Sequence, residues 1–125
     1  MLKSANVTIM VSDMERAIAF YRDTLGFAIT FRAQNEWAQL DAAGVTLALH
    51  PSAGREIPPL ARQGVSLGFQ VDHLEQAMAA LQGKGVAFAP GIREDHGVRL
   101  AFFADPDGTP LYLAQPLWIP QSGWD

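Results

Sequence analysis

The chain has 125 residues, 49% hydrophobic and 18% charged, the composition of a globular protein with apolar surface enough for a core. Nine basic residues are scattered among thirteen acidic ones for a formal charge of −4, and no Lys/Arg run offers a nucleic-acid footprint. There are no cysteines, which excludes disulfides, thiolate metal sites and Cys nucleophiles.

The first residues, "MLKSANVTIMVSD", lack the apolar segment and small-residue cleavage site of a secretory signal. No apolar run approaches the roughly 20 residues that span a bilayer. A cytoplasmic protein without membrane or nucleic-acid partners is therefore expected. "NVTIMV", 6–11, is β-branched and apolar and reads as a strand. In "SDMERAIAFYRDTLGF", residues Met14, Ala17, Ile18, Tyr21 and Leu25 recur along one face of a helix. Ser12 and Glu15 have the spacing of a capping box, and Gly26 stands where a helix stops. Three short strands are predicted near 27–33, 36–41 and 45–50, separated by "QNE" and "DAAG".

The Pro/Gly-rich stretch 51–63 is a connector, after which the pattern returns. "SLGFQV", 66–71, is a strand, and "DHLEQAMAALQGKG" is a helix with Leu74, Ala77, Met78 and Leu81 on one face. Asp72 and Glu75 repeat the capping pair of the first module. Three further strands are predicted near 86–92, 98–104 and 110–115, with "EDHG" and "DPDG" between them. Gly44 and Gly108 occupy matching turns. The organisation is one domain, 1–125: repeat one at 1–50, the connector, repeat two at 64–115, and a tail at 116–125. Trp118 in that tail is expected to pack on the body or on a partner subunit. A period of roughly 60 residues exceeds the usual solenoid unit, so this is a βαβββ module written twice, an α+β fold.

Two such modules, with "VSDMERAIAFYRDTLGF" in one and "FFADPDGTPLYL" in the other, resemble the vicinal oxygen chelate superfamily. It includes glyoxalase I, extradiol dioxygenases, fosfomycin-resistance enzymes and bleomycin-resistance proteins. The resemblance covers residues 4–115. It implies curved mixed sheets around a cavity, and a homodimer. Metal enzymes of the superfamily draw up to four ligands, typically His, Glu or Gln, from strand positions facing that cavity. Counting back from Asp13 puts the first at Asn6, and counting on from Gly44 puts the second at Ala48. The repeat offset gives Ser66, and the step past Gly108 gives Tyr112. None supplies the imidazole or carboxylate that a first-row metal needs, so this chain resembles the metal-less, bleomycin-resistance-like branch. No metal and no other cofactor is expected.

Strand alternation adds Thr8, Met10, Thr46, His50 and Gly68 to the inward set. Ligand-binding candidates are Asn6, Thr8, Trp37, Ala48, His50, Ser66, Phe102 and Tyr112, and the aromatic ones could stack on a flat ligand. A strand-end His bonded at the rim is the commoner fate of a residue like His50, and a core aromatic the commoner fate of any one ring. Of the other two histidines, His73 opens a helix and His96 lies in a hairpin turn. Arg93 and Arg99 either clamp an anion or pair with Glu94 or Asp95 across the hairpin. The expected function is a metal-independent small-molecule-binding protein resembling the drug-sequestering proteins, with a small organic, aromatic ligand. The alternative is a glyoxalase-like lyase, isomerase or dioxygenase, using non-family ligands or His50 and Tyr112 as an acid–base pair. A structural protein with a vestigial cavity is the third reading, disfavoured by the cost of burying unneeded polar groups.

Overall fold

Strand alternation sets up the first sheet. Ile9 and Val11 turn their side chains to the same side as Leu47 and Leu49, and all four are buried. The structure, a computed structural model, describes residues 1–54 and 66–117. The chain forms two units, Met1–Pro58 and Pro59–Asp125. Trp118 and Trp124, and most of the connector, lie outside the described residues.

In the first unit β1 (Val7–Val11) leads into α1 (Met14–Ala19), followed by β2 (Ala28–Ala33), β3 (Trp37–Ala42) and β4 (Val45–Pro51). The sheet order is β1-β4-β3-β2, with β1 parallel to β4 and the other pairs antiparallel. One face carries Ile9, Val11, Ala38, Leu40, Leu47 and Leu49, buried together with Met14, Ala17, Ile18 and Tyr21, and α1 packs against β4. The helix differs from the expected one at both ends. Its cap is Asp13, whose Oδ1 accepts from the Arg16 amide at 3.0 Å, while the Ser12 hydroxyl accepts from the Arg16 guanidinium at 2.8 Å. An aspartate has the same short reach as a serine, and here the chain turns helical one residue later than the capping box implied. After Ala19 the helix widens into a π-turn over Phe20–Thr24, with the Leu25 amide donating to the Phe20 carbonyl at 3.0 Å.

The second unit repeats the topology. It contains β5 (Leu67–Gln70), α2 (Leu74–Gln82), β6 (Arg93–Asp95), β7 (Val98–Ala104) and β8 (Pro110–Pro116), in the order β5-β8-β7-β6. Leu74, Val86, Ala101, Phe103, Leu111, Leu113 and Ala114 are among its buried apolar residues, and α2 packs on β7 and β8. The strand expected at 86–92 is absent, and pairing with β7 begins only at Arg93. The Ala89 amide still reaches the Phe102 carbonyl at 2.7 Å. Beyond it Pro90 has no N–H to offer, and Gly91 turns the chain with φ +81°.

The "DPDG" turn is built around Asp105, which is buried. Its Oδ1 accepts from the amides of Asp107 at 2.9 Å and Thr109 at 2.8 Å, and its carbonyl accepts from the Gly108 amide at 3.0 Å. Gly108 has φ +83°, a conformation that favours glycine. This turn fixes where β8 starts, and hence the register of Tyr112.

Candidate functional site

Each sheet has a face turned away from its helix; Thr8, Trp37, Ala48, His50, Phe102 and Tyr112 fall on those two faces, while Asn6 and Ser66 precede the strands. In the first unit the register aligns Thr8 with Ala48 and Gln39, and Met10 with His50. His50 Nδ1 lies 2.8 Å from the Pro51 carbonyl, so the tautomer that donates there leaves Nε2 as an acceptor. Trp37 meets the His50 ring edge-on at 6.1 Å and donates its Nε1–H to Gln39 Oε1 at 3.1 Å. Asn6 precedes β1, is exposed, and accepts from the Thr8 hydroxyl at 2.8 Å. Ala48 is fully buried, so of this group it offers a ligand no accessible surface.

In the second unit two rows cross the open face. One is Gly68, Tyr112 and Phe102; the next is Gln70, Ala114, Leu100 and Arg93. The Tyr112 ring lies directly on Gly68, where a β-carbon would come within 2.1 Å of its Cζ. Only glycine permits that seat. Phe102 packs beside Tyr112 with ring centroids 5.9 Å apart, and the Arg93 guanidinium sits 5.6 Å above the Phe102 centroid. Phe103, next in sequence, points to the opposite face and is buried against Phe88. Gln70 Oε1 is buried and has no hydrogen-bond donor among the described residues. Ser66 precedes β5 and is exposed.

The two arginines part company. Arg99 lies on the helix side of the sheet, where its guanidinium is paired with the Glu75 carboxylate and reaches Gln115 Oε1 at 3.3 Å. The Arg99 hydrogen bonds hold the Glu75 carboxyl at about 2, well below the usual carboxylate range, and the Arg99 pKa is raised in turn. Arg99 is therefore neither an anion clamp nor a partner of Glu94 or Asp95 by hydrogen bond, because β7 aims it at α2. Arg93, on the open face, keeps its charge over a ring. His73 stands exposed at the N-cap of α2. The His96 side chain is 94% exposed and pairs with Asp95 at 2.6 Å. Gln70 escaped the sequence reading, although continuing the alternation one step past Gly68 reaches it.

The positions that the resemblance assigns to metal ligands carry donors of the wrong kind. Asn6 spends its amide oxygen on Thr8, and Ala48 has no donor atom. Ser66 and Tyr112 add only a hydroxyl and a phenol, poor ligands beside an imidazole or a carboxylate. Among the described residues no three His, Cys, Asp or Glu side chains come together. This donor set does not fit a divalent transition metal.

The tandem βαβββ topology has counterparts among known proteins. The family model of the Glyoxalase/Bleomycin resistance protein/Dioxygenase superfamily matches residues 3–112. The chain belongs to this superfamily. YwkD, an uncharacterized protein of Bacillus subtilis, is 35% identical over 90% of this chain and 97% of its own. A solved glyoxalase family protein from Enterococcus faecalis superposes with a TM-score of 0.76 at 29% identity, covering 90% of this chain and 96% of the other. TnmS3, an antibiotic binding protein from Streptomyces sp. CB03234, gives 0.68 at 28% identity, covering 93% and 97%. Among the described residues no helix is long and apolar enough to cross a membrane.

Proposed function

We propose that this superfamily member is a metal-independent small-molecule-binding protein of the drug-sequestering kind. The observation that carries the reading is Tyr112. At a position where metal enzymes of the superfamily supply a ligand, this chain has a ring laid on Gly68 and flanked by Phe102. Rings in that arrangement offer an apolar aromatic surface, tilted 46° from one ring to the next, and stacking on either ring requires neither a nucleophile nor a shifted pKa. Trp37 beside His50 on the other sheet offers a second aromatic surface with a polar edge. The 28% identity to an antibiotic binding protein supports the same class of ligand. On each unit by itself, hydrogen-bonding groups near its aromatic surface would orient a ligand bound there: Asn6, Thr8 and His50 on the first, Ser66 on the second.

The test is a thermal-shift screen of the purified protein against aromatic antibiotics and aromatic metabolites, followed by calorimetry on the hits. At least one ligand should bind with one-to-one stoichiometry per chain, and Tyr112→Ala should weaken it about tenfold or more, the scale of one aromatic contact. Turnover of a bound compound that His50→Gln abolishes would replace this reading with the enzymatic one.

A further inference from the structure

On the face of the second sheet turned away from the helix, two polar groups lack an ion-pair or hydrogen-bond partner among the described residues, and they lie at opposite ends of one row. Gln70, Ala114, Leu100 and Arg93 are aligned across β5, β8, β7 and β6. Three strand spacings separate the ends, about 14 Å between α-carbons. Between them the floor is apolar, and the Gly68–Tyr112–Phe102 row forms a wall along one side. At one end the Arg93 side chain is exposed, with its charge over the Phe102 ring and no salt bridge to a carboxylate among the described residues. The acid on its own strand and face is Asp95, already engaged by His96; Glu94 projects to the other side. At the other end Gln70 Oε1 is buried without a donor among the described residues. A buried acceptor left unpaired costs free energy, so a native protein retains one chiefly where something else will satisfy it.

We propose that this face binds a flat organic anion. Its carboxylate or comparable group meets Arg93, its ring lies along Tyr112 and Phe102, and an O–H or N–H at its far end donates to Gln70 Oε1. The proposal rests on the small-molecule-binding reading and narrows it to a charge and a hydrogen-bonding polarity. The guanidinium can serve the anion and the Phe102 ring together, because its in-plane N–H groups remain free while its face covers the π-system. The far group must be a donor, since an ether oxygen would set two acceptors against each other.

Three matched probes separate these features: 6-hydroxy-2-naphthoate, its methyl ester, and 6-methoxy-2-naphthoate. Binding is followed by calorimetry on the full chain. The hydroxy acid should bind at least tenfold more tightly than either the ester or the methoxy acid. Arg93→Met should erase the preference for acid over ester, the acid losing at least tenfold more affinity than the ester. Gln70→Leu should erase the preference for hydroxy over methoxy, and without ligand it should unfold at the same temperature as the native chain or higher. Equal binding of acid and ester by the native chain would overturn the proposal, as would a loss on Arg93→Met that is the same for both. A Gln70→Leu chain that discriminates hydroxy from methoxy as before would also overturn it. If the hydroxy acid does not bind while the antibiotic screen yields ligands, the anion assignment falls and the broader binding function stands.

Discussion

At Gly68 a single methyl group decides whether Tyr112 keeps its seat. A β-carbon there would lie 2.1 Å from Cζ, 2.3 Å from Cε2 and 2.5 Å from the hydroxyl of Tyr112. All three atoms belong to the far end of the side chain, so the ring can swing away without moving β8. Gly68→Ala should therefore cost little stability, within about 1–2 kcal/mol in a chemical-denaturation experiment, the low end of overpacking. It should nevertheless weaken ligand binding as much as Tyr112→Ala does, because the stacking surface is displaced in both. Tyr112→Phe retains the ring and should bind close to the native level. If Gly68→Ala binds ligand normally, the aromatic ledge is not the binding surface. The alternation of Phe102 and Phe103 was legible in the sequence, because strand periodicity admits only one to each face. The seat itself was not: nothing in "SLGFQV" says which ring will lie on the glycine.

The elements are held to their sheets by polar contacts that cross long stretches of sequence. No side chain caps α2 from its own N-cap residue. Instead Gln115 of β8 accepts from the Leu74 amide at 3.0 Å, and Arg99 of β7 grips Glu75 in the first turn. The sequence suggested an Asp72–Glu75 cap because local spacing is all that a linear pattern shows; a residue on another strand competes successfully once the fold brings it near. The missing strand at 86–92 has the same origin in reverse, since an apolar run reads as a strand but Pro90 and Gly91 deny it a ladder. The Glu75–Arg99 contact has a pH signature. The carboxyl is at about 2 in the folded chain against an ordinary value of 4.5. A group whose folded pKa is depressed stabilises the fold above its unfolded pKa, and that contribution is lost as pH falls from about 4.5 to about 2. Thermal unfolding followed across that window should show a slope that Glu75→Gln reduces. The Glu75 side chain is 65% exposed, so added salt should shrink the effect as well. An identical pH profile in Glu75→Gln would mean that the contact contributes nothing in solution.

At the scale of the whole molecule, the repeat was the most legible feature. Matched turn glycines and matched helix faces put two βαβββ units on the page, and both units show the same strand order. Such signals survive because they follow from backbone requirements: φ +97° at Gly44 and +83° at Gly108, and a period near 3.6 on each helix. A ligand's identity imposes no comparable backbone requirement, so the site was legible as positions and not as contacts.

The proposed metal independence belongs to this scale too, because it turns on the donors that the chain can bring together. The chain has no cysteine and three histidines, one a solvated turn residue and another an exposed helix cap, and among the described residues its carboxylates do not gather with them into a group of three. Asn6, Ser66 and Tyr112 are each a poorer donor than the superfamily's usual His or Glu, and Ala48 offers none. A bound ion stabilises a fold by its binding free energy, so chelation of a metal-dependent member lowers its unfolding temperature. Here, protein purified without chelator should contain far less than one equivalent of any transition metal by elemental analysis. EDTA should leave both the unfolding temperature and the affinity for a ligand from the screen unchanged. One equivalent of iron, nickel, zinc or manganese that co-purifies, and whose removal lowers the unfolding temperature, would show that donors outside the superfamily's positions assemble a metal centre, with His50 the first to replace in finding it.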